Sequence, residues 1–217
     1  MQEWDLAQLS DEELMAQLQK GRKEALGELI RRYERELYIY LRRFTSDPIL
    51  AEDIFQNTFL QVLQRAKQYQ LGRAVRPWLY AIATNLAIDA LRRSARRQAA
   101  SLERTVESER YETQGSLLQS LRGPSREPFE ALEEKERAEL VQQALQSLPE
   151  SLRAVVLLAY FRGLKYQDIA DILGIPIGTV KSRLHVALKR IHDWLQARLA
   201  PEASESAEPP AKPLRAE

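Results

Sequence analysis

The chain has no cysteine and only two histidines, His185 and His192, among its 217 residues. The first absence excludes an internal disulfide, a cysteine-ligated metal and a thiol switch carried by the chain itself. No glycine-rich loop is placed to cradle a phosphate. No serine or cysteine nucleophile motif and no histidine–carboxylate cluster with catalytic spacing are present either. Together these exclude the common enzyme chemistries and leave no cofactor to expect. No apolar run approaches the length of a membrane span. The N-terminal segment MQEWDLAQLSDEEL lacks the basic and apolar sections of a signal peptide, so the expected location is the cytoplasm. Strict apolar–polar alternation is also missing, which argues against strands.

A one-sided charge excess is absent as well, since the net charge is only +1. That total conceals alternating patches. Between Arg73 and Arg97 stand six arginines and one acid, Asp89, whereas Gln98 to Glu139 carries ten glutamates against six basic residues. A cationic stretch inside a neutral chain is the electrostatic footprint of nucleic-acid binding.

What fills the sequence is helical periodicity. Ser10 with Glu13 makes a capping box for a short helix that Gly21 can end. Leu26, Leu29, Ile30, Tyr33, Leu37, Leu41 and Phe44 form one apolar stripe. Asp47-Pro48 reads as an N-cap followed by proline in the first turn. It opens a helix whose apolar face is Leu50, Ile54, Phe55, Thr58, Phe59, Val62 and Leu63. Pro77 is expected to open a further helix, with Trp78, Ile82, Leu86 and Asp89 on one side and Trp78 as a buried anchor. Residues 1–97 therefore read as one helical domain. From 98 to 127 the periodicity fails and the stretch reads as a flexible linker. Helix resumes at Pro128, and residues 128–200 form a second domain. The tail, 201–217, has four prolines and almost no large apolar residue, so it is expected to be disordered.

The most specific stretch is Tyr166 to Arg190, YQDIADILGIPIGTVKSRLHVALKR, which has the pattern of a helix-turn-helix. Ala170 is small enough for a close helix crossing, and Gly174 can take the turn conformation. Ile169, Leu173, Ile175 and Val180 are spaced to face inward. The second helix is basic, as expected of one that enters a DNA major groove.

Three motifs in this order, DPILAEDIFQNTFLQVL, RPWLYAIATNLAIDALRR and LPESLRAVVLLAYFRGLKYQDIADILGIPIGTVKSRLHVALKRI, resemble the extracytoplasmic-function (ECF) group of bacterial sigma factors. The resemblance covers most of residues 22–97 and 137–192. It implies an all-α fold of two domains, sigma domain 2 and sigma domain 4, joined by the linker. It also implies a function: binding RNA polymerase core through its clamp helices and flap, and directing initiation at particular promoters. An anti-sigma factor is a further partner implied by the resemblance.

The resemblance gives roles to particular residues. Asp53, Gln56, Asn57 and Gln61 become contacts to core polymerase, although by pattern alone they are the solvated side of an amphipathic helix. Arg76, Asn85, Asp89, Arg92 and Arg93 become the −10 element surface, with arginines for phosphates and Asn85 and Asp89 for a base edge. On the second helix of the helix-turn-helix, Thr179, Ser182 and Arg183 stand where base edges of the −35 element are reached. Lys181, Lys189 and Arg190 are placed for phosphates, which position without specifying. His185 and His192, seven residues apart, share a helix face but lack the further ligands of a metal site, so no metal is expected. The rival reading is a helix-turn-helix regulator that binds duplex DNA unaided. A response-regulator type would carry an α/β receiver domain, for which the strand pattern is missing.

Overall fold

The computed structural model of the protein describes residues 6–102 and 128–199, and the described residues contain helices and no strand. A short 3-10 turn, Leu6–Gln8, precedes α1 (Asp11–Gln19), α2 (Glu24–Thr45) and α3 (Pro48–Arg65). A second 3-10 turn, Ala66–Gln68, leads through a loop to α4 (Val75–Leu102). The C-terminal half holds α5 (Pro128–Gln146), α6 (Glu150–Val156) continued by a π-helical turn (Leu157–Phe161), α7 (Tyr166–Leu173) and α8 (Ile177–Leu199).

The helix ends follow local chemistry. Ser10 Oγ accepts from the Glu13 amide at 3.2 Å while Glu13 returns the favour to the Ser10 amide at 2.7 Å, completing the capping box. Asp47 Oδ1 accepts from the amides of Ile49 and Leu50, capping α3 beside Pro48. Helix α4 differs from expectation at both ends. It starts at Val75 rather than Pro77, because the Glu12 carboxylate of α1 accepts from the Val75 amide at 3.2 Å and supplies a cap from across the fold. It also runs to Leu102, past the boundary expected at residue 97. The rest of the expected linker and the tail from 201 lie outside the described residues.

Helices α1 to α4 close around Leu14, Met15, Leu29, Leu37, Tyr40, Leu41, Phe44 and Tyr80, all fully buried. Tyr40 and Thr84 share a buried hydrogen bond at 2.7 Å, and the Tyr40 and Tyr80 rings meet edge to face at 5.2 Å. Burial raises both phenols above their ordinary range, Tyr80 to about 12. Arg32 ties the N-terminal turn to α2, donating to Asp11, Ala7 and Leu9 at 2.7 to 2.9 Å. Leu63, placed on the apolar face of α3 from the sequence, is 37% exposed, with Val62 buried beside it, and Asp89, placed on the apolar side of α4, is exposed.

The C-terminal half packs on the first. Helix α7 lies along α4, and α5 and the π-helical turn touch α2. The buried apolar residues of both halves form one continuous cluster. At the seam, Arg153 is only 7% exposed, and among the described residues no carboxylate forms an ion pair or hydrogen bond with it. Its guanidinium instead donates to four main-chain oxygens: Leu145, Gln146 and Leu148 at 3.0 Å and Phe44 of α2 at 2.6 Å. These oxygens lie at and just past the carbonyl ends of α5 and α2, the negative ends of two helix dipoles; the Leu145 oxygen also accepts from the Leu148 amide at 3.2 Å. Burial pulls this guanidinium below its ordinary pKa, opposed by Glu150.

The two kinds of tie should differ in strength. Asp47→Ala removes an exposed cap and should cost about 1 kcal/mol. Arg153→Met takes the Arg153 donor from the Gln146 and Leu148 oxygens and weakens the pairing of Leu145 and Phe44, and should cost about 3 kcal/mol. Urea unfolding followed by circular dichroism measures both, and equal losses would show that the Arg153 carbonyl set is solvated in practice.

Candidate nucleic-acid and protein interfaces

Three faces carry the residues singled out from the sequence. On α4, Asn85, Asp89, Arg92 and Arg96 are exposed at steps of four, three and four residues, so they share one side of the helix. Asn85 and Asp89 stand one turn apart, about 6 Å along the axis. Arg93 is exposed on the flank of this row. Arg76 does not join them. Nine residues before Asn85 it lies half a helical revolution away. Its guanidinium pairs with Glu36 at 3.1 Å and sits 5.9 Å from the centre of the Tyr80 ring. Arg162 of the C-terminal half approaches the same Glu36 oxygen at 3.8 Å.

Trp78, expected as a buried anchor, is half-buried and leans on Tyr69 with ring centroids 5.1 Å apart. It lies near the Asn85 side of α4, at the foot of the 70–74 loop. That loop is held from below: Gln19 donates to the oxygens of Ala66 and Tyr69 at 2.9 and 2.7 Å, and the Tyr69 hydroxyl donates to the oxygen of Arg73. Leu71 and Arg73 are exposed at its tip. No periodic pattern marks these loop residues in the sequence; only the packing of Tyr69 on Trp78 brings them to the edge of the Asn85 row.

The second face is the outer side of α3. Asp53 and Gln56 are exposed, while Asn57 and Gln61 are half-buried, Asn57 donating to the Asp53 carboxylate at 3.1 Å. Sequence reasoning counted only these polar groups. The structure interleaves them with Ile49, Leu60 and Leu63, which are 75%, 55% and 37% exposed. The spacing 49, 53, 56, 60, 63 makes a single stripe, a signal present in the sequence but read there as polarity alone. Ile49, Leu60 and Leu63 thus form an apolar stripe held in water along α3.

The third face belongs to the helix-turn-helix. Gly174 ends α7 at φ +62°, and the Ile175 amide reaches back to the Ala170 oxygen at 3.0 Å, a Schellman closure. Ile169, Ala170 and Val180 are buried, and Leu173 and Ile175 pack against the core, as the spacing requires. Val180, Leu184 and Ala187 fix the inward side of α8. Opposite them, Ser182, His185, Val186 and Lys189 are exposed on one outer face, with Lys181 and Arg190 exposed on its two sides. Arg183 and Thr179 lie on the flank and are half-buried. His185 thus stands between Ser182 and Lys189, a position not weighed from the sequence, where it was considered only as a metal ligand and set aside. Among the described residues no group of three or more His, Cys, Asp or Glu could hold a metal ion, and no helix is long and apolar enough to cross a membrane.

Comparison with known proteins places both halves. Residues 29–97 match the family model described as sigma-70 region 2, and residues 138–191 match that described as sigma-70, region 4. The RNA polymerase sigma-H factor of Pseudomonas aeruginosa is 32% identical over 194 residues, covering 89% of this chain and 98% of the relative. The ECF RNA polymerase sigma-E factor of Escherichia coli is 30% identical over 189 residues, covering 87% and 96%. In fold the chain is similar to CnrH solved in complex with the cytosolic domain of CnrY, with TM-score 0.60, 23% identity and coverage of 86% and 97%. It is also similar to the sigma factor RpoE of Bartonella quintana, solved with the anti-sigma factor NepR, with TM-score 0.58, 22% identity and coverage of 80% and 98%.

Gln19→Ala should loosen the 66–74 segment without unfolding the bundle, because the lost amide bonds hold only that loop. Amide exchange there should speed up roughly tenfold while α2 and α3 keep their protection. Unchanged loop exchange would mean that Gln19 is not what holds it.

Proposed function

This chain belongs to the sigma-70 family as an ECF-type RNA polymerase sigma factor, directing promoter-specific initiation, and we propose how its surfaces divide that work. The outer stripe of α3 docks on the clamp helices of the polymerase largest subunit. Ile49, Leu60 and Leu63 supply the apolar area, and Asp53, Gln56, Asn57 and Gln61 the polar register. The Asn85 row of α4 takes the −10 element. Arg92, Arg93 and Arg96 hold phosphates, while Asn85 and Asp89 offer donors and acceptors to an unstacked base. Arg76, committed to Glu36, supports this helix from behind.

Helix α8 reads the −35 element. Ser182 and His185 face base edges, Lys189 reaches the groove floor or its phosphates, and Lys181 and Arg190 bind the backbone on either side. Arg183 and Thr179 on the flank fix the angle of entry. The C-terminal half, 128–200, also meets the polymerase flap, and the N-terminal half, 1–97, the clamp. The chain works in the cytoplasm without a cofactor or catalytic chemistry of its own. Because CnrH and RpoE were solved with CnrY and an anti-sigma factor, respectively, an anti-sigma partner is proposed here too.

The observation that carries this reading is the separation of two exposed polar faces, on α4 and α8, from an exposed apolar stripe on α3. A regulator that binds DNA unaided has no use for that stripe. Leu60→Asp should abolish core binding in a pull-down and transcription in a reconstituted assay, with the fold intact by circular dichroism. Full transcription by this variant would remove α3 from the interface.

The two DNA faces are separable. His185→Ala should cost about 1–3 kcal/mol on the preferred promoter and relax selection at one −35 position. Arg190→Ala should weaken all promoters alike and lower the slope of affinity against salt by about one contact. Asn85→Ala with Asp89→Ala should spare core binding but reduce permanganate-reactive open complex; an unchanged bubble would place base capture elsewhere.

A further inference from the structure

One apolar side chain stands among the polar groups on the outer face of α8. Val186 is 42% exposed. Ser182 lies one turn before it, and Lys189 and Arg190 about one turn after it, all three exposed. The inward side of the helix is filled by Val180, Leu184 and Ala187, and Val186 takes no part in that packing. Two other large apolar residues of α8 are exposed, Ile177 at 41% and Leu188 at 40%. Nine residues before Val186 and two after it, they lie about half a revolution away, on the side turned from Ser182. From Ile177 to His192 the helix holds no acid, so nothing on this stretch repels a phosphate backbone.

The groove that such a helix enters offers an apolar side chain one matching group. The C5-methyl of thymine is the methyl on a base edge there, and the other distinguishing groups are hydrogen-bond donors and acceptors. Against the N4 amino group of cytosine, the valine methyls would leave a donor without a partner. Against thymine, both surfaces lose water at no such cost. Ser182 complements this selection. Its hydroxyl donates to the Thr179 oxygen at 3.1 Å, which leaves Oγ free to accept from a base amino group. The two side chains stand about 6 Å apart along the axis, less than two rises of the duplex at about 3.4 Å each. They therefore address neighbouring base pairs.

We propose that Val186 is a specificity residue that reads the 5-methyl group of one thymine in the −35 element. The proposal rests on the assignment of α8 to that element. A methyl contact separates thymine from the other bases but neutralises no phosphate. The salt dependence of promoter binding therefore stays with Lys181, Lys189 and Arg190, and a change at Val186 leaves it as it is.

Deoxyuridine isolates the contact, because it keeps every hydrogen-bonding group of thymine and lacks only the methyl. Holoenzyme reconstituted from core polymerase and the full chain is first given promoters randomised over the −35 element. The strongest sequence is then rebuilt with each thymine of either strand replaced singly by deoxyuridine. One replacement should lower initiation roughly fourfold, the worth of one buried methyl. In Val186→Ser the same replacement should cost nothing, in Val186→Ile the loss should return, and Leu188→Ala on the far side should keep it. Each thymine-to-deoxyuridine ratio is taken within one variant, so a general loss of folding or core binding cancels. The salt slope of Val186→Ser should match that of the parent. Deoxyuridine tolerated at every position overturns the proposal. So does an undiminished loss in Val186→Ser, since another group then reads the methyl. Both results leave α8 as the reader of the −35 element. Initiation indifferent to the randomised sequence would remove that assignment, and the role of Val186 with it.

Discussion

A single guanidinium, that of Arg153, meets the carbonyl ends of two helices. Helix ends leave main-chain oxygens unpaired, and a buried end needs donors from somewhere. Arg153 collects three oxygens from the end of α5 and the turn after it, and one from α2. The positive charge lies where both helix dipoles are negative, which offsets part of the cost of burying it without a carboxylate. Two glutamine amides complete the set on the α2 side. The placement of α5, and with it the platform under the helix-turn-helix, depends on this arrangement.

The same device recurs at the other end of the molecule. Arg32 collects main-chain oxygens from the N-terminal turn, Gln19 takes two from the segment before the loop, and Glu12 accepts from the start of α4. Each is a long polar side chain bridging elements distant in sequence, at a helix start, a turn or a loop entry. Helices α3, α4 and α8 meanwhile keep one side free of such duties. Those free sides are the three proposed interfaces, so rigidity and recognition are divided between different faces of the same helices.

Much of the fold was legible in local chemistry. The capping box at Ser10, the cap at Asp47 and the left-handed Gly174 each act within a few residues, so spacing alone reveals them. The inward residues of the helix-turn-helix, Ile169, Ala170 and Val180, were legible for the same reason. The start of α4 was not, because its cap comes from Glu12, sixty-three residues earlier. Leu63 was misplaced because an amphipathic stripe gives its centre clearly and its edges poorly, and Val62 takes the inward place. His185 was weighed only as a metal ligand and set aside, while its place beside Ser182 and Lys189 is a matter of helix projection.

The sequence by itself determined an all-helical chain, its helix-turn-helix and its membership of a sigma-factor group, since periodicity and motif order are properties of neighbouring residues. Only the tertiary structure decided that Arg76 is turned to Glu36 and away from the Asn85 row. It alone decided that Ile49, Leu60 and Leu63 remain in water, and that the two halves share a seam held by Gln142, Gln146 and Arg153. Each of these depends on which partner occupies the space beside a side chain. That partner lies many tens of residues away, at a distance that no local pattern encodes.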